Sequence, residues 1–312
     1  MSAPTPDRFP GLDLAAFLAA PPPEPVWEYH GYTARGDVVL EVGDPGAGKS
    51  MNVLARAVTA ARGGGEHLGE PVAAARVLFI DLENPEDVVY ARLYAFGLRD
   101  NVETLRYVWR PAGFDLLKKA TVDSLRATII EHEAEIVYID SLRRAAPGLD
   151  ENDSAKVSAV FTPLRELAAE LGCTVDVVHH PRKPIGDAKV EALYAARGSG
   201  DLIGSVDSYL FYRRLGSGLV RIEHGKARRG GEHDPVHFRI EADDDGRPSI
   251  HPVQIEHKTH NRDRVREWRA ANPAGLQASA ALELGISVET VKRYWKAAEA
   301  AQETLNMDGD EA

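Results

Sequence analysis

Short apolar runs alternate along the chain with longer amphipathic stretches. The apolar runs are rich in Val and Ile without polar alternation, which is typical of strands buried on both faces. Such strands are predicted at Val38–Val42, Arg76–Asp81, Glu135–Asp140 and Thr174–His179. Helices are predicted between them, at Lys49–Ala61, Glu86–Phe96, Thr121–His132 and Ser154–Leu171. Because strands and helices alternate, we expect an α/β fold with a twisted, mostly parallel sheet and helices on both faces.

The pattern changes in the last third of the chain. Three more strands are predicted at Asp207–Arg213, Leu219–His224 and Val236–Glu241, and three short helices at Arg262–Ala271, Leu276–Leu284 and Ser287–Ala301. We therefore predict an arm over residues 1–36, an α/β domain over 37–245, a linker over 246–261, a small all-α domain over 262–301 and an acidic, disordered tail over 302–312.

The arm contains a short apolar helix, predicted at Leu12–Ala20, and then a proline-rich spacer at residues 21–25. Proline cannot continue a helix, and a run of prolines favours a stiff, extended segment. A short apolar helix on such a spacer cannot bury itself. It either folds back on its own domain or docks on a neighbouring subunit.

The charge balance limits the classes of function. The 312 residues include 48 acidic and 37 basic side chains, a formal net charge of −11, which excludes a general nucleic-acid coat and leaves DNA contacts to local basic patches. A single cysteine, Cys173, excludes a disulfide framework within one chain and indicates a cytoplasmic setting. We expect no membrane span, because no apolar run reaches about 18 residues, and no secretory signal.

The sharpest motif runs from Gly43 to Ser50 and fits the phosphate-loop pattern G-x-x-x-x-G-K-[ST]. It lies between a predicted strand and a predicted helix, so backbone N–H groups and the helix N-terminus face a phosphate. Lys49 is expected to reach the β- and γ-phosphates, and the Ser50 hydroxyl to bind Mg²⁺. The predicted cofactors are ATP and Mg²⁺, and the predicted nucleotide-binding residues are Gly43, Asp44, Pro45, Gly46, Ala47, Gly48, Lys49, Ser50 and Met51.

Two of the predicted strands end in acidic residues. Asp140 ends the strand IVYID, where a phosphate-loop enzyme places the carboxylate that holds Mg²⁺ together with the loop hydroxyl. Asp81 and Glu83 follow the strand after the phosphate-loop helix, where a carboxylate can polarise an attacking water. From chemistry alone, either Asp81 or Glu83 can take this second role.

Five segments in this order, besides the phosphate loop, resemble one family over residues 26–241. The segments are LFIDLENP, IVYIDSL, VVHHPRK, RGSGDLIGSVDSYLFYRR and KARRG. They resemble the RepA-like (AAA_25-type) branch of the RecA/DnaB hexameric replicative helicase family. The resemblance implies a RecA-like P-loop NTPase core that hydrolyses ATP as a ring around single-stranded DNA.

The resemblance also implies roles for particular residues. Glu83 matches the catalytic glutamate and Asp140 the Walker B aspartate that binds Mg²⁺. Of the paired histidines, His179 is the preferred match to the polar sensor, because the strand is predicted to end there. Lys226 and Arg228 match the K-x-R finger pair, which reaches across a subunit boundary to the γ-phosphate of the neighbour; the alternative is a basic hairpin turn exposed to solvent.

Two groups of basic residues are candidates for DNA binding. The first follows the Asp140 and His179 strands, whose loops face the central pore in this family; it consists of Arg143, Arg144, Arg182, Lys183 and Arg197. The second belongs to the C-terminal helices, which are similar to a helix-turn-helix unit with its turn at Gly285; it consists of Lys292, Arg293 and Lys296. Ordinary surface charge is the alternative for the first group, and a protein-binding three-helix bundle for the second.

The sequence therefore predicts an ATP-dependent motor, a ring-forming DNA helicase that moves on single-stranded DNA in replication. Its expected partners are single-stranded DNA, further copies of itself in a hexamer, and a replication initiator or primase. Two other functions stay open: an ATP-switched replication initiator or helicase loader without unwinding activity, and a RecA-like recombinase filament.

Overall fold

The computed structural model describes residues 12–19, 21, 24–43, 45–180, 200–229, 233, 235–242, 246–253, 261–273, 275–284, 288, 291–292 and 295. The chain forms two compact units, residues 1–253 and 254–312. In the described part, no helix has both the length and the apolar character needed to cross a bilayer.

The first unit alternates helices and strands as expected. Its helices are α1 (Leu14–Leu18), α2 (Lys49–Ala61), α3 (Glu86–Ala95), α4 (Lys119–His132), α5 (Leu142–Ala145), α6 (Ser154–Leu171) and α7 (Gly200–Gly204). Its strands are β1 (Trp27–Tyr29), β2 (Thr33–Ala34), β3 (Val38–Gly43), β4 (Gly65–His67), β5 (Glu70–Val72), β6 (Val77–Asp81), β7 (Leu105–Trp109), β8 (Ile136–Asp140), β9 (Thr174–His179), β10 (Ser208–Gly216), β11 (Leu219–Ala227), β12 (Val236–Ala242) and β13 (Pro248–Pro252).

The central sheet has nine strands in the order β13-β12-β11-β10-β3-β9-β8-β6-β7. The six strands from β10 to β7 are parallel, and β11, β12 and β13 extend the sheet as antiparallel neighbours. Parallel register aligns the strand ends: Gly43 pairs with Tyr212, and Asp140 with both Asp81 and Val178. The carboxyl ends of the parallel strands therefore lie side by side. We call this side of the sheet its carboxyl edge, and the side on which the parallel strands begin its amino edge.

Both faces of this sheet are covered, which confirms the predicted α/β fold. Successive residues of a strand point to opposite faces. Leu78 and Ile80 of β6 accordingly join the core formed with α4 and α6, whereas Val77 and Phe79 join the core formed with α2. Burial on both faces explains why these strands are continuously apolar.

The sequence analysis does not predict β4, β5, β7, α5 or α7, and two further regions also differ from the sequence prediction. Part of the predicted arm is folded: β1 and β2 belong to a second sheet, in the order β2-β1-β5-β4, and Tyr29 is buried and stacked on Tyr32 with ring centroids 4.8 Å apart. Part of the predicted linker is also folded, because β13 pairs with β12 over its whole length. The linker prediction is wrong there, since a half-polar edge strand carries no strong hydrophobic pattern.

Helix α1 forms within the predicted range, and the Asp13 side chain caps it by accepting a hydrogen bond from the Ala16 N–H. Leu14, Phe17 and Leu18 are all exposed, and the helix buries none of its residues. Of the two alternatives for this helix, folding back onto its own domain is not observed.

A buried charged group connects α2 with the strands beneath it. The side chain of Arg56 is 1 % exposed; its Nη2 donates to the Glu41 carboxylate at 2.6 Å and to the carboxylate of Asp176. The guanidinium also lies 5.1 Å from the ring centroid of Tyr29 and 5.6 Å from that of Tyr138. Burial, followed by the charge of Glu41, raises the pKa of Asp176 well above its usual range, and Arg56 is the cation that opposes this shift.

The second unit contains α8 (Asn261–Ala271) and α9 (Gln277–Leu284). It has a core of its own, formed by Val265, Trp268, Ala280, Ala281, Val291 and Trp295. The Trp268 indole N–H donates to the Glu283 carboxylate at 2.7 Å. Burial of Val291 and Trp295, four residues apart, agrees with helical spacing in the predicted third helix. The predicted turn at residues 285–287 lies outside the described residues, and the helix-turn-helix assignment stays a prediction.

Removing the buried cation should destabilise the first unit strongly. Arg56→Ala leaves the Glu41 and Asp176 carboxyl groups buried without their cation, and breaking a buried ion pair in this way typically costs about 3–5 kcal/mol. We expect a loss of this size in the free energy of unfolding from denaturant titration. Arg106→Ala is the matched control, because Arg106 forms an exposed ion pair with Glu131 at 2.8 Å, and such pairs contribute up to about 1 kcal/mol. Equal losses for the two variants would contradict a structural role for Arg56.

Candidate active site

The loop between β3 and α2 has the backbone conformation that its glycines allow. Gly43 has φ +156°, and a Cβ atom there would lie 2.3 Å from the Tyr212 carbonyl oxygen. Gly48 has φ +79°, a left-handed conformation that other residues rarely adopt. Ala47 and Met51 are buried, while Pro45 and Gly46 are exposed. A side chain at either of the two constrained glycines would change the loop, so these positions determine its shape.

Lys49 begins α2, and its side chain is nearly fully buried. Its Nζ donates a hydrogen bond to the Gly43 carbonyl at 2.5 Å. The ammonium group is thus held within the loop, at the N-terminus of a thirteen-residue helix where the helix dipole attracts anions. A loop, a helix N-terminus and a lysine in this arrangement can bind the phosphates of a nucleotide.

Asp140 is the buried carboxylate of the site, at the end of β8 with 1 % of its surface exposed. Burial raises its pKa to about 6; a hydrogen bond with Ser50 opposes this shift, and the charges of Asp81 and Glu83 add to it. A carboxylate that is hard to ionise in isolation gains most from a nearby cation. Ser50 and Asp140 together offer the oxygen ligands that Mg²⁺ prefers, so the residues present fit this metal.

The structure separates the two acidic candidates after β6. Asp81 is buried, and its carboxylate accepts hydrogen bonds from the Asn84 N–H at 2.9 Å and from the Tyr107 hydroxyl at 2.6 Å. It also accepts from the Glu83 N–H at 3.0 Å, so it shapes the turn that carries Glu83. The Glu83 side chain is 40 % exposed, and the Ser141 hydroxyl donates to it at 2.6 Å. Glu83 is therefore the carboxylate oriented for contact with a water molecule.

His180, rather than the preferred His179, lies beside this carboxylate. The Nε2 atom of His180 is 3.8 Å from Oε2 of Glu83. His179 is buried and points elsewhere, with its Nε2 atom 3.5 Å from the Glu151 carboxylate. Burial, followed by the charge of Lys49, lowers the pKa of His180 to about 4, so its imidazole is neutral at pH 7. Adjacent residues in extended backbone point in opposite directions, and the strand pattern alone does not say which of the two histidines faces the loop.

One group of potential metal ligands is present in the described part of the chain. Glu83, Asp140 and His180 each have a ligand atom within 4.8 Å of the others. Mg²⁺ takes oxygen ligands and keeps several waters, so Ser50 and Asp140 fit it best. Glu83 and the neutral His180 would lie beside an ion held by Ser50 and Asp140, and their side chains could then contact water or the terminal phosphate.

Lys226 and Arg228 lie at the amino edge of the sheet, on the side where the parallel strands begin. Lys226 pairs with Tyr209 across β10 and β11, three residues before Tyr212, which in turn pairs with Gly43. Strands rise by about 3.3 Å per residue and lie about 4.8 Å apart, so the Cα atom of Lys226 lies about 14 Å from that of Gly43. Arg228 is farther still. The two cations therefore lie away from the phosphate loop of their own chain.

The other predicted site residues either lie on the surface or fall outside the described residues. Arg143 and Arg144 are exposed on α5, directly after Asp140. Lys292 is exposed in the second unit. The remaining predicted residues, Asp44, Arg182, Lys183, Arg197, Arg293 and Lys296, lie outside the described residues.

The sheet order, the phosphate loop and the acidic strand ends define a RecA-like P-loop ATPase fold. A family model described as an AAA domain (AAA_25) matches residues 3–186, more than half of the chain, and the chain belongs to this family. Its structure is similar to the crystal structure of a KaiC-like protein from the hyperthermophilic archaeon Pyrococcus horikoshii. That match has a TM-score of 0.51 and 15 % identity, and covers 72 % of this chain and 94 % of the other. The RecA-like, AAA_25-type relationship expected from the sequence is confirmed.

Replacing Glu83 should stop turnover without preventing ATP binding. Glu83→Gln keeps the shape of the side chain but removes the charge that polarises water, and loss of such a group typically costs about 10²–10⁴ in rate. We expect kcat to fall by at least this lower limit while the Kd for ATP from calorimetry changes little. Glu86→Gln, at an exposed position in the first turn of α3, is the control and should keep normal turnover. A large loss for both variants, or for neither, would contradict the assignment.

Turnover should decline as the pH falls through about 6. Below its raised pKa, Asp140 is protonated and cannot hold a cation, so kcat/KM for ATP with Mg²⁺ should fall about tenfold per pH unit. The pH profile of kcat/KM measures this, with circular dichroism showing that the protein stays folded. His180→Gln should keep the midpoint near 6, because the pKa of His180 is lowered to about 4. A midpoint that disappears with His180 would assign the titration to the histidine.

Proposed function

We propose that the protein is an ATP-dependent motor of the RepA/DnaB type, a ring-forming DNA helicase that couples ATP hydrolysis to movement on single-stranded DNA in replication. The observation that carries this proposal is the position of Lys226 and Arg228. They lie at the amino edge of the parallel strands, whereas the phosphate loop of the same chain lies at the carboxyl edge. A finger pair in this position serves the nucleotide of a neighbouring subunit.

The proposed reaction is hydrolysis of ATP to ADP and inorganic phosphate. Lys49 and the loop N–H groups bind the phosphates, and Glu83 polarises a water and accepts its proton as the water attacks the γ-phosphate. Mg²⁺ held by Ser50 and Asp140 would neutralise charge on the β- and γ-phosphate oxygens. Arg228 of the neighbouring subunit stabilises the transferring phosphate, since a guanidinium keeps its charge and fits phosphate oxygens.

Assembly follows from this division of the site. Each subunit offers a phosphate loop at one edge and a finger at the opposite edge, so contacts are head to tail, and head-to-tail contacts close into rings when the rotation allows it. We propose a hexamer, as in the family that the sequence resembles. Exposed Arg143 and Arg144 on α5 support DNA contact in the centre of such a ring.

The alternative is an ATP-switched replication initiator or helicase loader. It is favoured by the second unit, which has a core of its own and whose sequence includes the basic residues Lys292, Arg293 and Lys296. Such a unit fits sequence-directed DNA binding or recruitment of a partner as well as it fits a helicase. A recombinase filament shares the same ATPase core and differs in how the subunits assemble.

Mixed oligomers should show that the active site is shared. Arg228→Ala alone should lose about 10³–10⁵ in turnover, as expected for an arginine finger. Mixed with Glu83→Gln subunits it should regain activity, because some interfaces then combine an intact Glu83 with an intact Arg228 of the neighbour. Turnover of the mixture against subunit ratio measures this. Mixtures of Arg228→Ala with wild-type protein are the control and give the activity expected when active subunits are only diluted. If the mixture of Arg228→Ala with Glu83→Gln has no more activity than its components, Arg228 lies outside the neighbour's site.

Strand displacement separates the helicase from the other functions. A helicase displaces a labelled strand from a forked duplex in the presence of ATP and Mg²⁺, and the Glu83→Gln variant does not. An initiator or loader gives ATP-dependent DNA binding without displacement. Electron microscopy on single-stranded DNA distinguishes rings from recombinase filaments.

A further inference from the structure

Both finger cations are held by the same short segment of their own chain. This segment, residues 203–207, consists of the last two residues of α7 and the three residues that connect it with β10. The Lys226 Nζ atom donates to the carbonyl oxygens of Ile203 at 2.7 Å and Val206 at 2.6 Å. Arg228 contacts the last residue of the segment, Asp207. The ammonium group of Lys226 thus has two backbone acceptors, whereas Arg228 is held by the side chain of Asp207.

Asp207 forms one ion pair and two hydrogen bonds that join the finger to the sheet. Its Oδ1 atom is 2.8 Å from Nη1 of Arg228, and its Oδ2 atom accepts the Val38 N–H at 2.9 Å. Its backbone carbonyl also accepts the Arg228 N–H at 3.0 Å. Val38 is the first residue of β3, the strand that carries the phosphate loop at its other end. Asp207 is 7 % exposed, and its carboxylate lies between the buried Val38 and the more exposed guanidinium of Arg228.

The guanidinium that Asp207 holds is only partly used by this contact. The Arg228 side chain is 57 % exposed, and a guanidinium has five N–H donors in a planar fork. An ion pair through Nη1 restricts the long side chain and leaves the other edge of the fork toward solvent. Carboxylates that orient a functional side chain from behind act in this way at metal sites and in catalytic triads.

We propose that Asp207 is the positioning residue of the arginine finger, holding Arg228 at the amino edge of the sheet so that its remaining donors meet a phosphate of the neighbouring subunit. This inference rests on the proposed function of Arg228. Asp207 itself does not contact the nucleotide in this arrangement; it acts through Arg228. It also anchors the finger to the first residue of β3 rather than to a loop, and groups held by a strand are placed more accurately than groups held by loops.

The Asp207→Asn variant tests this role. An amide oxygen can accept from Val38 or from Arg228, while the amide nitrogen can only donate, so one of the two contacts is lost. We expect kcat for ATP hydrolysis to fall by roughly 10–100-fold, the effect typical of orienting carboxylates, with the KM for ATP changed by less than about twofold. Asp201→Asn is the matched control, because Asp201 is exposed at the start of α7. Normal turnover of Asp207→Asn would overturn the proposal.

Mixed oligomers distinguish positioning from general damage. If Asp207 acts through Arg228, both residues must be intact in the same subunit and can be on a different subunit from Glu83. Asp207→Asn should therefore regain turnover when mixed with Glu83→Gln, and should gain nothing when mixed with Arg228→Ala. The reverse pattern would place Asp207 with the nucleotide site of its own subunit and overturn the proposal.

Two further measurements keep the outcome clear. If Asp207→Asn does not fold, as judged by its melting temperature, Asp207→Glu takes its place, since it keeps the charge and shifts the carboxylate; the same mixing pattern is expected, with a smaller fall in kcat. Rescue between Arg228→Ala and Glu83→Gln is measured in parallel. If that rescue fails, the proposed function of Arg228 is wrong; if it succeeds while Asp207→Asn behaves as wild type, only the positioning role is wrong.

Discussion

Parallel pairing of β3, β9, β8 and β6 is the constraint on which the rest of the site depends. Parallel strands in register bring their carboxyl ends to one edge, and here those ends carry Gly43, Asp140 and Asp81. Residues nearly a hundred positions apart in the chain thereby surround one space. The same register sends the antiparallel β11 in the opposite direction, so Lys226 and Arg228 lie at the other edge. The position of the candidate active site and the proposed division of that site between subunits thus have one geometric cause.

The phosphate-loop helix is held on this sheet by charge as well as by apolar packing. Arg56 joins α2 to β3 through Glu41 and to β9 through Asp176, in the helix that Lys49 begins. A buried ionic group of this kind adds little net stability compared with apolar packing, but it permits few alternative arrangements. Two strands and a helix that meet at one guanidinium keep a fixed orientation, and a phosphate-binding loop needs such a fixed base.

The finger side of the molecule follows the same principle. Asp207 is a buried acceptor at the start of β10, and it connects Arg228 to β3 through Val38. The phosphate loop and the proposed finger are therefore attached to opposite ends of a single strand, β3. In a head-to-tail assembly, each subunit would present one end of β3 to each neighbour. This arrangement offers a short, rigid connection between consecutive sites of a ring.

The sequence by itself determined β3, β6, β8 and β9, the helices α2, α3, α4 and α6 between them, and the location of the phosphate loop. Both are local properties: buried parallel strands are continuously apolar, and the loop pattern specifies backbone conformation residue by residue. The tertiary structure decided what depends on side-chain direction and long-range pairing. Asp81 and Glu83 are two residues apart and chemically alike, and only the hydrogen bonds from Tyr107 and Asn84 show that Asp81 is occupied. The choice between His179 and His180, the pairing of β13 and the contact of Asp207 with Arg228 were likewise decided there, because each depends on atoms brought together by folding and not on any pattern within a short stretch of chain.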